Sequence, residues 1–262
     1  MGKVIVVTSG KGGVGKTTAT ANIGSALAAQ GHSVLLLDAD IGLRNLDLLL
    51  GLENRIVFDI VDVLEGRCRL KQAVVKDKRN EKLCLLPASQ TREKNAVNEE
   101  QMKELLLELK AAYDYVMIDC PAGIEQGFKN AIAGADEAIV VCTPEVASIR
   151  DADKVIGLLG VSDVLKTSLV VNRMKEDMVK RGDMLGVEDI EDILGVKTIG
   201  IIPEDELVVR AANLGEPVVN IFKSGSGIAY CEIARRIAGE ALRKSGIGAF
   251  FMRLLGIEAK AG

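Results

Sequence analysis

Read as apolar and polar positions, the chain switches repeatedly between two patterns. Short unbroken apolar runs begin at Val4 (VIVV), Val34 (VLLL), Leu83 (LCLL), Tyr115 (YVMI), Ala138 (AIVV), Ser168 (SLVV) and Thr198 (TIGII). Runs that are apolar on both faces suit strands buried in a parallel sheet with helices on each side. Between them the spacing becomes helical. Residues 17–30 are alanine-rich and stop at Gly31, a residue suited to end a helix. Residues 99–111 place Met102, Leu105, Leu106 and Leu109 on one face. Residues 148–159 and 228–243 behave in the same way. This alternation predicts a doubly wound α/β fold, a mostly parallel sheet with helices on both faces. No linker, repeat or shift of composition interrupts residues 1–245, which read as one domain. The charged stretch KDKRNEK, residues 76–82, reads as a solvated loop of mixed sign.

The first strand-to-helix junction carries the chemistry. VIVVTSGKGGVGKTT contains G-x-x-x-x-G-K-T from Gly10 to Thr17, the phosphate loop of P-loop NTPases. Gly10, Gly12, Gly13 and Gly15, with Val14 between them, let successive backbone N–H groups converge on phosphate oxygens. The helix that follows, through Thr18 and beyond, adds the positive end of its dipole. Lys16 is placed to meet the β- and γ-phosphates, and the Thr17 hydroxyl to ligate Mg²⁺. Two later strands end in acids: VLLLDAD in Asp38 and Asp40, and YVMIDCPAG in Asp119. Parallel strands deliver ligands at their C-terminal ends, so these carboxylates should gather beside the loop. Asp119 fits the second acidic element of phosphoryl-transfer sites, next to the metal. Asp38 is expected to hold metal-bound water, and Asp40 to orient the attacking water.

Lys11 is a second cation in a loop that needs one. At the start of the loop it should point outward, where it can reach the phosphates of a second subunit placed face to face. A cation supplied in this way is worth roughly 10³–10⁵ in rate. The plainer reading is an exposed lysine without a role.

Bulk properties narrow the field. The 262 residues are 48% hydrophobic, enough for a large core. With 33 Lys and Arg against 37 Asp and Glu, the net charge is −4, which argues against a broad nucleic-acid surface. Aromatics make up 3% and Trp is absent, so stacking platforms for single strands are not expected. The five cysteines, Cys68, Cys84, Cys120, Cys142 and Cys231, form no C-x-x-C pair. They read as reduced thiols, with Cys84 and Cys142 packed in strands. The N-terminal apolar run is too short for a signal peptide, and Val6 breaks the myristoylation pattern that Gly2 opens.

The last residues, 246–262, differ from the rest. Ile247, Phe250, Phe251, Leu254 and Leu255 fall at i, i+3, i+4, i+7 and i+8, one face of an amphipathic helix, with Arg243, Lys244 and Arg253 at its polar edge. Gly246 and Gly248 precede or interrupt it as an expected hinge. On pattern alone, a terminal helix docked on the core fits as well as an interfacial one.

The motif K-G-G-x-G-K-T-T, with its first lysine in this place, resembles the deviant Walker A loop of the MinD/ParA family of ATPases. The stretches LDADIGLRNLDLLLG, LPASQTREK, DCPAGIE, DEAIVVCTPEVASIRDADKV, RGDML, IIPEDE and LGEPVV extend the resemblance over nearly the whole chain. DADIGLRNLDLLLG and PASQTR set it apart from the plasmid-partition and iron–sulfur branches. The resemblance implies an ATPase that dimerises on ATP, with Lys11 reaching across and Asn45 near the dimer face. It implies that Asn172 and Arg173, after one strand, and Pro203, Glu204 and Asp205, after another, hold the adenine. Residues 148–153 would belong to the surface that meets MinC-like inhibitors and MinE-like activators. The family carries a membrane-targeting amphipathic helix where this chain has residues 246–262, which implies a cytoplasmic protein held peripherally on the inner face of the cell membrane.

Burying five large apolar side chains is worth on the order of 10 kcal/mol gross. Ordering a short helix costs roughly 1–2 kcal/mol per residue. One tail should therefore bind phospholipid marginally, whereas two on a dimer gain roughly 10²–10⁴ in avidity. Two other readings remain: a ParA-like ATPase that binds DNA or a cargo scaffold, which a salt-sensitive DNA shift with ATP would reveal, and a nucleotide-binding assembly factor without significant turnover, whose behaviour Asp40→Ala would not change.

Overall fold

The computed structural model describes residues 2–92, 96–221 and 224–240. The seven apolar runs become strands β1 (Lys3–Thr8), β2 (Val34–Asp38), β4 (Leu83–Leu86), β5 (Tyr115–Asp119), β6 (Glu137–Cys142), β7 (Lys166–Met174) and β8 (Thr198–Pro203). An eighth, β3 (Val75–Lys76), was not legible as a strand: it is two residues long and half of it is a charged side chain. The sheet order is β3-β4-β2-β5-β1-β6-β7-β8. Every pairing is parallel except β3 with β4, a small hairpin at the edge.

The four long helices read from spacing are present as α1 (Lys16–Ala29), α5 (Glu99–Ala112), α7 (Val146–Leu159) and α12 (Gly225–Ile237). On α5 the buried residues are Met102, Leu105, Leu106 and Leu109, the predicted face, and Asn98 opens the helix with a reciprocal cap to Gln101. Shorter helices fill the connections: α2 (Leu46–Leu50), α3 (Ile60–Leu64), α4 (Leu70–Ala73), α6 (Gln126–Ile132), α8 (Glu176–Arg181), α9 (Val187–Leu194), α10 (Glu206–Asn213) and α11 (Val218–Ile221). Most are too short for a periodic signal.

One expectation needs correction. The helix read over residues 228–243 starts at Gly225, capped by the Ser224 hydroxyl, and ends at Ile237, before Gly239 at φ 76°. The residues beyond 240, and with them Ile247, Phe250, Phe251, Leu254 and Leu255, lie outside the described residues. The stretch 76–82 is mostly exposed, as a solvated loop should be, with one exception. Asp77 within it is buried and accepts from the backbone N–H of Arg79 and Asn80, closing the β3–β4 turn.

β1 lies at the centre of the sheet, between β5 and β6, and the chain reaches β2 by passing over β5. Crossovers that leave a central strand in opposite directions open a crevice at its C-terminal end. The loop that starts with Ser9 sits in that crevice. The strands around it are sealed on both faces: Val4, Val6 and Val7 of β1 and Leu35, Leu36 and Leu37 of β2 have no exposed surface. Among the described residues no helix is long and apolar enough to cross a membrane.

Candidate functional site

The loop between β1 and α1 turns on two glycines in the left-handed region, Gly13 at φ 79° and Gly15 at φ 100°. Gly15 occupies the N-cap position of α1, where no side chain caps the helix and no acid lies in the first turn. The first N–H groups of α1 thus lack an intrahelical partner, an arrangement that attracts anions. The loop is braced from within by the Ser9 hydroxyl, which donates to the Lys11 carbonyl at 2.7 Å. Gly10 lies so close to α7 that a Cβ there would fall 2.1 Å from the Asp151 carbonyl oxygen. Lys16 is buried, Thr17 and Thr18 are partly buried, and Lys11, Gly12 and Gly13 are exposed. Lys11 is thus open to solvent, which leaves it free to meet a second molecule.

The three acids do gather. Asp38 ends β2 and Asp119 ends β5, directly paired across the two strands. Asp119 also lies beside Thr17, Lys16 and Asp40, and the Thr20 hydroxyl donates to its Oδ1 at 3.4 Å. Burial, and then the charge of neighbouring Asp38, hold the Asp119 carboxyl well above the ordinary carboxylate range. Burial also raises Asp38, against the opposing pull of its backbone hydrogen bonds. The Lys16 charge pulls the other way on Asp119, and a further cation beside the two carboxyls would favour their ionised forms.

Asp38 has a task that the sequence did not reveal. Its Oδ1 accepts from the Asp40 N–H at 3.0 Å, and its Oδ2 from the N–H groups of Asn45 and Leu46, each at 3.2 Å. It pins both ends of the turn that carries Asp40 and holds the start of α2. The Asp40 carbonyl accepts from Leu43 and Arg44, the latter at φ 45° in the left-handed region. Asp40 and Pro121, from the loop after Asp119, line the same small cavity of about 10 Å³. Gly123 of that second loop donates to the Ser9 carbonyl at 3.4 Å.

The five residues expected at the base do not form one surface. Asn172 is buried under the phosphate loop, where its Nδ2 donates to the Val14 carbonyl at 2.7 Å. Arg173 is exposed at φ 58° beside a register shift in β7. It shares with Glu204 a cleft of about 770 Å³, also lined by Met178, Met184 and Leu185. Pro203 ends β8. Asp205 caps α10 through the Leu207 N–H and accepts from the Ser226 hydroxyl at 2.6 Å. Burial opposes ionisation of Asp205, but these hydrogen bonds prevail and lower its pKa.

Comparison with known proteins agrees with this geometry. A family described as an AAA domain matches residues 2–171. The septum site-determining protein MinD of Synechocystis sp. is 57% identical over 241 residues, 92% of this chain and 91% of that protein. The chain belongs to the MinD family. MinD in the MinC:MinD cell division protein complex of Aquifex aeolicus superposes with a TM-score of 0.86 at 54% identity, covering 93% of this chain and 98% of that one. The Pyrococcus horikoshii MinD complexed with Mg-ADP superposes with a TM-score of 0.83 at 30% identity, covering 90% of this chain and 96% of that one.

The Pyrococcus horikoshii relative is complexed with Mg-ADP, and the residues present in this chain fit phosphate and a divalent cation. The uncapped end of α1 and buried Lys16 suit phosphate. The Thr17 hydroxyl and the Asp119 carboxyl suit a hard cation that keeps phosphate oxygens and water in its shell. Among the described residues no cluster of three or more His, Cys, Asp or Glu is arranged to hold an ion. Thr20 is a site residue that the motif reading missed. Its spacing from Thr17, one helical turn, was the available signal.

Proposed function

We propose that the chain is a Mg²⁺-dependent ATPase of the division-site machinery, converting ATP and water to ADP and phosphate. It works as a switch: the ATP-bound form is a homodimer that binds the membrane, and hydrolysis releases it. The observation that carries this reading is the uncapped α1 N-terminus with buried Lys16, set against two adjacent buried carboxyls raised by burial. A site built this way is incomplete without an anion and a cation together.

In this reading the loop amides and Lys16 hold the β- and γ-phosphates. Mg²⁺, carried by Thr17 and Asp119, supplies charge neutralisation at those phosphates. A cation held there would favour the ionised form of the Asp119 carboxyl. Asp38 fixes the turn that presents Asp40, and Asp40 orients the attacking water. Exposed Lys11 reaches the phosphates of the second subunit, so two like-charged faces close only over bound anions. Arg173, Pro203 and Glu204 approach the base, with Asn172 setting the loop below it.

The relative from Aquifex aeolicus in complex with MinC supports a MinC-like inhibitor as one partner. A MinE-like activator and attachment through residues 247–255 rest on the sequence resemblance, as does a cytoplasmic location on the inner face of the membrane. Co-sedimentation with phospholipid vesicles under ATP, ADP and no nucleotide tests the switch. Pelleting with ATP only, lost on deletion of residues 247–262 while nucleotide binding stays, is the expected result. Equal pelleting with ADP would defeat it.

A further inference from the structure

The segment that carries Asp40 is held at one end by Asp38. Its other end is held from an unexpected direction. α2 ends at Gly51, at φ 61°, where a Cβ would lie 2.7 Å from the Gly215 carbonyl oxygen. Gly215 lies in the turn after α10 at φ 64°, and a Cβ on it would sit 3.0 Å from the Gly51 Cα. Two turns thus meet backbone to backbone, closer than any side chain would permit.

Arg79, from the stretch that looked solvated, is fitted over this contact. Its Nη2 donates to the Leu50 carbonyl at 2.6 Å, the last residue of α2. The same guanidinium donates to the Gly215 carbonyl at 3.3 Å and lies 3.5 Å from the Glu216 carboxylate. Asp77, whose side chain is 2% exposed, pairs with it at 3.3 Å and fixes its backbone N–H. The Arg79 side chain is 24% exposed, less than an untethered arginine on a loop would be. A planar fork with five donors can bind carbonyls on two elements at once, whereas an ammonium cannot keep that geometry.

The elements joined here lead to the two ends of the site. α2 runs back to Asn45 and Leu46, held by Asp38, and so to the Asp40 turn. α10 is a rod of about 12 Å at 1.5 Å per residue, and its far end is the Asp205 cap beside Pro203 and Glu204. We propose that Arg79 is a positioning residue for the ATPase site: it locks α2 to the end of α10, and thereby sets the Asp40 turn from the base-side elements. The effect on turnover rests on the ATPase reading above; the effect on α2 does not.

The test is hydrogen exchange on the full chain, with steady-state ATP turnover measured in parallel. Arg79→Met should speed exchange of amides in residues 41–52 by roughly 10- to 100-fold, the worth of hydrogen bonds to a charged group, while amides of β1 and β5 hold. It should lower kcat for ATP with KM within about threefold, the signature of an interaction that matters after binding. Gly215→Ala, which wedges the same contact apart, should reproduce both effects, and combining the two should add little because they break one junction. Arg79→Lys, which keeps the charge but not the fork, should remain defective and guards against a variant that fails to fold. Unchanged exchange at 41–52, faster exchange throughout the sheet, or a raised KM with kcat retained would overturn the proposal. A wild-type chain that does not turn over ATP would instead overturn the ATPase reading, and the exchange pattern would still decide the junction.

Discussion

Gly15→Ala places a methyl group in space that Asn172 already fills. Gly15 sits at φ 100°, and an ideal Cβ there lies 2.3 Å from the Asn172 Nδ2. Two costs follow. A non-glycine residue in the left-handed region costs roughly 1–2 kcal/mol. The amide must also swing away, giving up its 2.7 Å hydrogen bond to the Val14 carbonyl, a loss of about 0.5–1.5 kcal/mol. The sum is about 1.5–3.5 kcal/mol, and at ~2–4 °C per kcal/mol for a chain of this size the nucleotide-free protein should melt ~3–14 °C lower by scanning calorimetry. Asn172→Ala alone leaves the Val14 carbonyl without its partner, at about 1–3 kcal/mol. In the double variant the clash is gone and only the backbone cost is added, so the two losses should fall short of their sum by ~1 kcal/mol. A single Gly15→Ala variant that melts with the wild type, or a strictly additive pair, would refute the view that Asn172 is wedged beneath the loop.

Three further outcomes are expected. The Asp119 carboxyl is raised in the folded state, so the stability it contributes is full below the ordinary carboxylate value of 3.8 and is lost as pH rises through its folded value. The metal-free protein should therefore melt lower as pH climbs from acid towards 8, and Asp119→Asn should flatten that slope while abolishing Mg²⁺-dependent nucleotide binding; an identical slope in the variant would contradict the assignment. Asp38→Ala removes the acceptor for three backbone amides, and amides 40–46 should exchange faster by one to two orders of magnitude, consistent with losing ~1–3 kcal/mol; unchanged protection there would show that Asp38 does not hold the turn. Lys11→Ala should keep ATP affinity within about threefold, because exposed Lys11 is not the buried cation of the loop, yet lose most ATP turnover if the missing cation acts across the dimer, by roughly 10³-fold or more; full activity in the variant would restore the plain exposed lysine.

Much of this was legible in the sequence, and the reasons are specific. Strands buried on both faces announce themselves as unbroken apolar runs, so β1, β2 and β4 to β8 were found to within three residues at either end. The phosphate loop was legible because its glycines, lysine and threonine serve one geometric end at fixed spacing. Contacts between distant segments were less so. Asp38 was read as a holder of metal-bound water, but two of its partners are backbone amides seven and eight residues on, in a turn whose path no periodicity encodes. Asn172 was grouped with the base contacts only through the family resemblance, and its actual acceptor, the Val14 carbonyl, lies 158 residues away on another element. Arg79 was hidden inside a run of charges that composition treats as solvent-facing, and its acceptors are backbone carbonyls, which leave no trace in residue type.

The switch requires that ATP close two copies of the chain over their bound nucleotides. Sedimentation equilibrium of the Asp40→Ala variant, with Mg²⁺ and either ATP or ADP, measures this directly. The account predicts twice the monomer mass with ATP and the monomer mass with ADP; a monomer with ATP, at concentrations that saturate the nucleotide site, would contradict it.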